Sequence, residues 1–328
     1  MKSLRERFAQ YTGKLREYKL AYSLHSWLNR HKLKHNRSLY AQYGLKKGRF
    51  SSIGKQDFSE PHSDIPWLDR PQAGEALEQQ SDFLQFPKEQ QKAIRQFVKD
   101  GYLVLPKFFS ETQIDALDQE VERLLSADTL KFNYSGRKVM DAFRHSSIVD
   151  RIFRYPELLK IMDFIMGKKV TPFQTINFLR GSEQRAHSDS IHMTTEPFGY
   201  LIAAWIALED IKVGTGELFY YPGSHRLPFV STQDYPSGNT RWRIGPFSNQ
   251  KYEDKIAEVV AESGLKKEVF LAKKGDVLLW HANLLHGGSP ISQAEATRKS
   301  MVAHYFCEGV ICYHEMTQRP ALLELNRD

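Results

Sequence analysis

The sequence predicts a mainly β domain with flanking helices, an α+β fold in which N-terminal helices buttress a jelly roll. Helical periodicity dominates the region before residue 167, and from residue 170 onward the pattern changes to short β-rich runs separated by turns. The chain has 328 residues, of which 41% are hydrophobic, so it can bury a sizeable core. Length alone allows one large β-domain or two small domains, and the strand pattern favours the first.

The N-terminal segment, residues 1–55, is predicted to be a basic amphipathic helical extension. It contains fourteen Lys or Arg and two Glu, a net charge of +12, whereas the rest of the chain carries −5. Apolar residues at spacings of three or four predict one stripe on a helix, formed by Leu4, Phe8, Tyr11, Leu15, Tyr18 and Tyr22.

Three partners remain open for this stripe. It packs on the catalytic domain or on another copy of the chain, or residues 1–50 contact an anionic membrane surface, or the segment binds nucleic acid. The first alternative is favoured, and no RNA- or DNA-binding motif supports the last, so we expect no nucleic acid.

Three further regions follow the extension. Residues 56–86 contain three prolines, scattered serines and little periodicity, which predicts an irregular connector over the surface. Residues 87–315 carry the strand pattern and the candidate site, and residues 316–328 form a C-terminal tail.

Cysteine usage and hydropathy indicate the compartment. Cys307 and Cys312 are too few for a disulfide framework and are expected to be reduced thiols. The longest uncharged run near the N-terminus, residues 20–29, is too short and polar for a leader or a membrane span. We therefore expect a cytoplasmic protein, with peripheral membrane association as the alternative.

Helices precede strands within residues 87–315. Residues 87–101 predict a helix that begins at a proline and ends at a glycine, and residues 102–109 predict a strand. Residues 110–113 form a capping box that begins a second helix, and a third spans residues 156–167. Later strands are predicted at residues 170–180, 199–208, 216–221, 268–271, 277–281 and 300–306.

Two histidines and one aspartate have the residue types of a metal site. In a strand, residues i and i+2 point to the same face, so His187 and Asp189 can offer an imidazole nitrogen and a carboxylate oxygen to one point. His286 lies in an apolar run, residues 275–288, that reads as a buried strand ending at glycines. Two His and one carboxylate leave three positions open on an octahedral ion, which is the arrangement of non-heme Fe(II) oxygenases.

Arg298 supplies a cationic group beyond this candidate site. It begins a β-rich run, residues 298–306, which we expect to pair alongside the strand that holds His286. A buried arginine there presents a planar fork that suits the distal carboxylate of 2-oxoglutarate.

With these residues the sequence resembles the phytanoyl-CoA dioxygenase-like Fe(II)/2-oxoglutarate oxygenases. The resemblance covers about residues 90–308 and rests on His187-Ser-Asp189, Trp205, the segments 101–110 and 216–225, His286-Gly and Arg298. One departure is Gly288, where some members have Ser, so a hydroxyl contact to 2-oxoglutarate is missing or comes from Ser289.

The resemblance implies a double-stranded β-helix (jelly-roll, cupin-like) core and a set of functional residues. His187, Asp189 and His286 would be the catalytic ligands of Fe(II). Arg298 would bind 2-oxoglutarate, with Trp205, Asn177 and Gln174 as further cosubstrate contacts. The implied reaction uses O2 to hydroxylate a small-molecule, lipid or glycan substrate with release of succinate and CO2.

Other roles are open for several of these residues. Trp205 is equally well a core residue, and Asn177 in an apolar run needs a polar partner if it is buried. His192 follows the predicted triad and either contacts substrate or lies in a solvated loop. Arg241 and Trp242 belong to an insertion, residues 227–267, that forms either a substrate lid or a surface-packed loop. His281 and His304 are expected to make core hydrogen bonds.

Two functions of a different kind compete with the oxygenase. One is a non-catalytic, metal-binding jelly-roll (cupin-like) protein for binding or sensing, and the other is a cupin-type enzyme that uses a metal without 2-oxoglutarate. Arg298 and the open ligand positions favour the oxygenase over both.

Overall fold

The computed structural model describes residues 17–58, 64–133 and 136–323. The predicted stripe residues Leu4, Phe8, Tyr11 and Leu15 lie outside these ranges. The α-helices are α1 (Lys19–Leu28), α2 (Asn36–Gln42), α3 (Ala73–Glu78), α4 (Ser81–Gln85), α5 (Lys88–Asp100), α6 (Glu111–Ser126), α7 (Ser147–Phe153), α8 (Pro156–Met166) and α9 (Ser248–Ser263). The strands are β1 (Tyr102–Leu105), β2 (Lys138–Met140), β3 (Val170–Phe178), β4 (Thr194–Glu196), β5 (Leu201–Ala207), β6 (Leu218–Tyr220), β7 (Glu268–Phe270), β8 (Val277–His281), β9 (His286–Gly288), β10 (Ser300–Cys307), β11 (Ile311–His314) and β12 (Arg319–Pro320).

The strands form three antiparallel sheets. The largest has six strands in the order β1-β8-β5-β10-β3-β2, and the smaller sheets have the orders β7-β6-β9 and β12-β11-β4. Trp205 and Trp280 of the large sheet share one buried cluster with Leu218 and Tyr220 of β6, so the two sheets pack face to face. This sandwich confirms the predicted jelly roll.

Helices cover the other face of the large sheet. Ile206 of β5 and Met301 of β10 belong to a core that also contains Leu117 of α6 and Ile161 of α8. Because both faces of the sheet are covered, every residue of β5 is buried. The predicted arrangement of helices that buttress a sheet is therefore observed.

Local signals in the sequence correspond to the observed helix ends. Helix α5 ends at Gly101, whose φ of 77° suits glycine, and a Cβ there would lie 2.4 Å from the ring of His225. Helix α6 begins at a capping box in which Ser110 and Gln113 exchange hydrogen bonds. Helix α8 has Pro156 at its start and Gly167 after its end.

Three expectations about the strands near the site are wrong. His187 makes only an isolated bridge, and Asp189 begins a 3-10 turn rather than continuing a strand. The run 275–288 is two strands, because a turn after His281 moves the chain from the large sheet to the small one. Strand β10, which follows Arg298, pairs with β3 and β5 and not with β9.

The connector is less irregular than predicted. Its described part contains α3 and α4, and Leu77 and Phe83 of these helices are buried in the main core. The insertion at 227–267, expected as a loop, contains α9.

The described part of the extension packs on its own chain. Lys19 Nζ of α1 donates to Gln318 Oε1 at 2.6 Å, and Tyr40 of α2 is buried against Ile311 and Tyr313 of β11. Within residues 17–58, 64–133 and 136–323, none of the helices combines the length and apolar character needed to cross a bilayer.

We predict that Ser110→Ala lowers the free energy of unfolding by about 1 kcal/mol, because the first turn of α6 loses its N-cap acceptor. Denaturant unfolding measures this change. Thr112→Ala is the control, since it alters the same exposed turn and leaves the Ser110–Gln113 box intact. An equal loss in both variants would contradict the assigned cap.

Candidate metal centre and cosubstrate pocket

His187 and His286 are placed side by side by their own backbones. His187 N donates to His286 O at 2.9 Å, and His286 N donates to His187 O at 3.0 Å. This reciprocal pair puts the two side chains on the same side, with ring centroids 4.5 Å apart. Two imidazoles from segments a hundred residues apart therefore face one point.

Hydrogen bonds to carbonyls orient both rings. His187 Nδ1 lies 2.9 Å from Arg185 O, and His286 Nδ1 lies 2.9 Å from Leu284 O. A carbonyl only accepts, so each Nδ1 carries a proton and each Nε2 is the ring nitrogen that remains for a metal. Burial lowers the pKa of His187 well below its usual value, with the adjacent His286 acting in the same direction, so the ring is a neutral donor.

Asp189 completes the group and is held from the opposite side. Its Oδ1 lies 3.8 Å from His286 Nε2, while its Oδ2 accepts a hydrogen bond from Trp280 Nε1 at 2.8 Å and lies 3.4 Å from His304 Nε2. Burial alone would raise the pKa of Asp189, but the surrounding imidazoles, His286 first, hold it below its usual value. The carboxylate is therefore ionised and oriented.

These three residues fit a divalent transition metal. One ligand atom from each of His187, Asp189 and His286 lies within 4.8 Å of the others, and all three residues are buried. Two imidazole nitrogens and one carboxylate oxygen are the donor set of non-heme Fe(II) sites, and the outer hydrogen bonds that such ligands need are present.

Arg298 lies in the same cavity as the triad. This cavity has a volume of about 70 Å³, and its wall includes Trp205, Leu218, Val302 and Ser182. The guanidinium is buried, with Nε donating to Gly216 O at 3.2 Å and Nη1 to Ser300 Oγ at 2.7 Å.

The charge of Arg298 lacks a paired carboxylate among the described residues. Burial lowers its pKa to about 10, with Glu209 and Glu217 opposing the shift, so the side chain remains a cation. A buried cation without a paired anion is costly unless a ligand supplies the charge. The distal carboxylate of 2-oxoglutarate matches this requirement.

The other cosubstrate candidates lie in different places. Trp205 lines the cavity, its ring centroid lies 5.7 Å from the guanidinium carbon of Arg298, and its buried Nε1 has no hydrogen-bond partner in the described chain. Asn177 lies opposite Met301, whose side chain is in the helix-side core, whereas the neighbouring Phe178 lines the cavity. Strand alternation therefore turns Asn177 away from the cavity that contains the triad and Arg298.

A second cavity of about 380 Å³ lies beyond the triad. Gln174 lines this cavity and not the first one, and His192 and Met193 form part of the same wall. The ring of His192 lies 6.4 Å from that of His187, and burial, followed by the nearby Lys138, lowers its pKa to about 4. His192 thus stands between the second cavity and the triad.

Arg241 and Trp242 are not beside the triad. They line a groove with Leu20 and Phe50 of the extension, and the Trp242 ring is mostly exposed. Tyr252 of α9, which belongs to the insertion, reaches the triad segment, because its hydroxyl accepts from Ser188 N at 3.1 Å.

His281 and His304, the two other strand histidines considered in the sequence, have different hydrogen-bond partners. His281 makes the expected core hydrogen bonds, to Asp69 Oδ2 at 3.1 Å and from Asn283 N at 3.0 Å. His304, for which the same was expected, instead points at Asp189.

Trp280 and Lys138 are site residues that sequence reasoning missed. Trp280 could have been found by alternation along β8, since Leu278 and Trp280 face the same core as Trp205. Lys138 lies on a three-residue edge strand opposite Phe178, and it lines the triad cavity without any recognisable motif.

Ser182 lies beside Gly288, the residue at which this sequence departs from those family members that have Ser there. A Cβ at Gly288 would lie 2.8 Å from Ser182 Oγ, and Ser182 lines the cavity whereas Ser289 does not. Ser182 therefore brings a hydroxyl from another segment close to position 288.

A family model described as phytanoyl-CoA dioxygenase (PhyH) matches residues 97–300, which is more than half of the chain. This chain belongs to the phytanoyl-CoA dioxygenase family. The predicted family and its Fe(II), 2-oxoglutarate and O2 chemistry are thereby confirmed as those of the group to which the chain belongs. The match contains His187, Asp189, His286 and Arg298 and excludes the extension.

Individual relatives of this phytanoyl-CoA dioxygenase family member are distant. The peroxisomal phytanoyl-CoA dioxygenase of Bos taurus is 23% identical over 233 residues, which are 64% of this chain and 66% of that protein. The ectoine dioxygenase of Sphingopyxis alaskensis is 25% identical over 213 residues, or 59% of this chain and 68% of the relative. The chain thus spans about two thirds of the curated relatives it matches.

Solved structures share the fold. The carbocyclase SnoK from nogalamycin biosynthesis superposes with a TM-score of 0.57 at 18% identity over 74% of this chain and 96% of that one. EctD from S. alaskensis with 2-oxoglutarate and 5-hydroxyectoine gives a TM-score of 0.53 at 21% identity over 72% of this chain and 81% of that chain.

We predict that Trp280→Phe lowers the affinity for Fe(II) by about 10- to 100-fold, because Asp189 loses the donor that orients it. Competition with a chromogenic chelator measures this affinity. Trp242→Phe is the matched control, since that ring is exposed and outside both cavities. Unchanged iron binding in Trp280→Phe would show that the hydrogen bond does not position the ligand.

Proposed function

We propose that this protein is an active Fe(II)- and 2-oxoglutarate-dependent hydroxylase that converts a small-molecule, lipid or glycan substrate and releases succinate and CO2. The observation that carries the proposal is the burial of a His-Asp-His triad and of Arg298 around one cavity. A metal site that serves only binding or structure does not need a buried guanidinium beside it, so this arrangement favours the enzyme.

The chain's residues divide the work. His187, Asp189 and His286 hold the iron, and Arg298 pairs with the distal carboxylate of 2-oxoglutarate. When bound, these two groups supply the oxidation of a substrate C–H bond by O2. The protein orients the ligands through backbone carbonyls and Trp280, and apolar side chains such as Leu218 and Val302 line part of the cavity wall.

We infer that the substrate occupies the second cavity. It adjoins the triad at His192, and its wall carries Arg144, Arg319 and Lys32 against one acidic residue, Asp141. This excess of basic side chains favours a substrate with an anionic group over a neutral one. Gln174 and His192 are then substrate contacts rather than cosubstrate ligands.

We predict that His187→Ala, Asp189→Ala and His286→Ala each abolish succinate formation from 2-oxoglutarate. Each substitution removes one of three protein ligands, and the two that remain hold the ion only loosely. Succinate release is measured with purified protein and Fe(II), with and without candidate substrates. His145→Ala is the control, since His145 is exposed and outside the cavities. Full activity of any triad variant would refute the ligand assignment.

We predict that Arg298→Ala raises the apparent KM for 2-oxoglutarate by about 10- to 100-fold, as expected for losing a charged hydrogen bond of about 1.5–3 kcal/mol. The affinity for Fe(II) should change little, because Arg298 is not one of the three candidate metal ligands. Arg180→Ala is the matched control, as its exposed guanidinium bonds Ala294 O. A KM that changes in the control and not in Arg298→Ala would move the anchor to Arg180.

A further inference from the structure

The outward face of helix α1 is apolar. Leu20, Leu24 and Leu28 recur at intervals of four residues and are 68%, 58% and 59% exposed. Trp27 lies on the same side and is also exposed. A monomer surface normally carries single scattered apolar residues, so this grouping on one helix face indicates a binding surface.

The side of α1 that faces the protein is polar. Lys19 and Ser26 are buried, and Lys19 Nζ donates to Gln318 Oε1 at 2.6 Å. Tyr22 lies on this side too, with the guanidinium carbon of Arg319 5.3 Å from its ring centroid. A surface helix usually buries its apolar stripe and exposes its polar one, and α1 does the reverse.

Trp242 extends this surface. Its carbonyl accepts a hydrogen bond from Lys19 N at 2.9 Å, so the loop that carries it is attached to the first turn of α1. The ring is 61% exposed and borders the same groove as Leu20. The surface made of Leu20, Leu24, Trp27, Leu28 and Trp242 is called the α1 face.

Two arginines border the α1 face, and the surrounding segment is basic. The guanidinium carbon of Arg30 lies 5.0 Å from the Trp27 ring centroid, and that of Arg241 lies 5.0 Å from the Trp242 ring centroid. Residues 17–50 contain eight Lys or Arg and one acidic residue. Leucines and tryptophans rimmed by cations match the interface of an anionic bilayer, where the apolar groups enter the acyl boundary and the cations meet headgroups.

We propose that the α1 face docks this protein on an anionic lipid surface. A second copy of the chain fits less well, because it would bring the same excess of positive charge to the contact. Nucleic acid has the right charge but offers no apolar layer for the leucines. The proposal goes beyond the catalytic function and does not depend on it.

Vesicle binding by the full chain tests the proposal. Co-sedimentation with phosphatidylcholine vesicles, and with vesicles that also contain phosphatidylglycerol, gives the bound fraction at low and high salt. We expect binding to the anionic vesicles only, weakened by salt. Leu24→Glu with Leu28→Glu should reduce the partition coefficient by about tenfold or more, because it places two carboxylates in the apolar face.

A matched control separates the surface from general effects of charge. Leu84→Glu with Leu271→Glu adds the same charge at leucines that are 57% and 48% exposed elsewhere, and it should bind like the unaltered chain. The tryptophan emission should shift to the blue on binding, and less so in Trp27→Phe with Trp242→Phe. This optical change reports the α1 face directly.

Three results would overturn the proposal. They are failure of the unaltered chain to bind anionic vesicles, an equal loss of binding in the test and control pairs, and a dimer of the free chain that Leu24→Glu with Leu28→Glu dissociates. The last result would assign the α1 face to a second copy. Unchanged thermal unfolding of each variant, expected at these exposed positions, confirms that the comparison concerns folded protein.

Discussion

The reciprocal backbone hydrogen bonds between His187 and His286 are the constraint on which the site depends. They set two distant segments directly opposite each other, so both imidazoles leave the pair on the same side. A shift of the register by one residue would turn one ring to the other face and leave no metal site. The carbonyls of Arg185 and Leu284, two residues before each histidine, then fix the rings. The positions of the two histidine side chains and the tautomers of their rings therefore both follow from local backbone geometry.

The large sheet supplies what surrounds this pair. Strands β5, β8 and β10 are neighbours, and they contribute Trp205, Trp280 and His304 from their inner faces, while Arg298 lies two residues before β10. The outer faces of the same strands pack on helices. The candidate iron ligands thus come from the irregular segment and the small sheet. The groups that orient them, and the proposed cosubstrate anchor Arg298, come mainly from the buttressed sheet or its edge.

The sequence predicts those features of the fold and the site that depend on residue type and spacing. It does not predict the features that depend on which segments pack against each other in space. The triad and Arg298 follow from family spacing, and the ends of α5, α6 and α8 follow from capping and glycine signals. The face to which Asn177 points could not be predicted, because alternation along β3 cannot be oriented without knowing which face meets the helices. Strand β10 was given the wrong neighbour because strand pairing is non-local. Trp280 and Lys138 lie at the site because of the order of the strands in the sheet, and that order cannot be deduced from any single segment.

In the extension, too, the sequence pattern does not say which side of a helix faces the protein. The same helix also connects two surfaces of the molecule. Of the predicted stripe, Tyr22 lies on the side of α1 that faces the protein. The leucines of α1, which were not part of that stripe, face outward because Lys19 and Ser26 fill the contact with the chain. Ser26 and His25 of the same helix line the second cavity, next to Arg319. Helix α1 therefore forms part of the proposed substrate wall with one flank and the α1 face with another. A change that detaches α1 would alter both surfaces, whereas glutamates on its outer face would alter only the second.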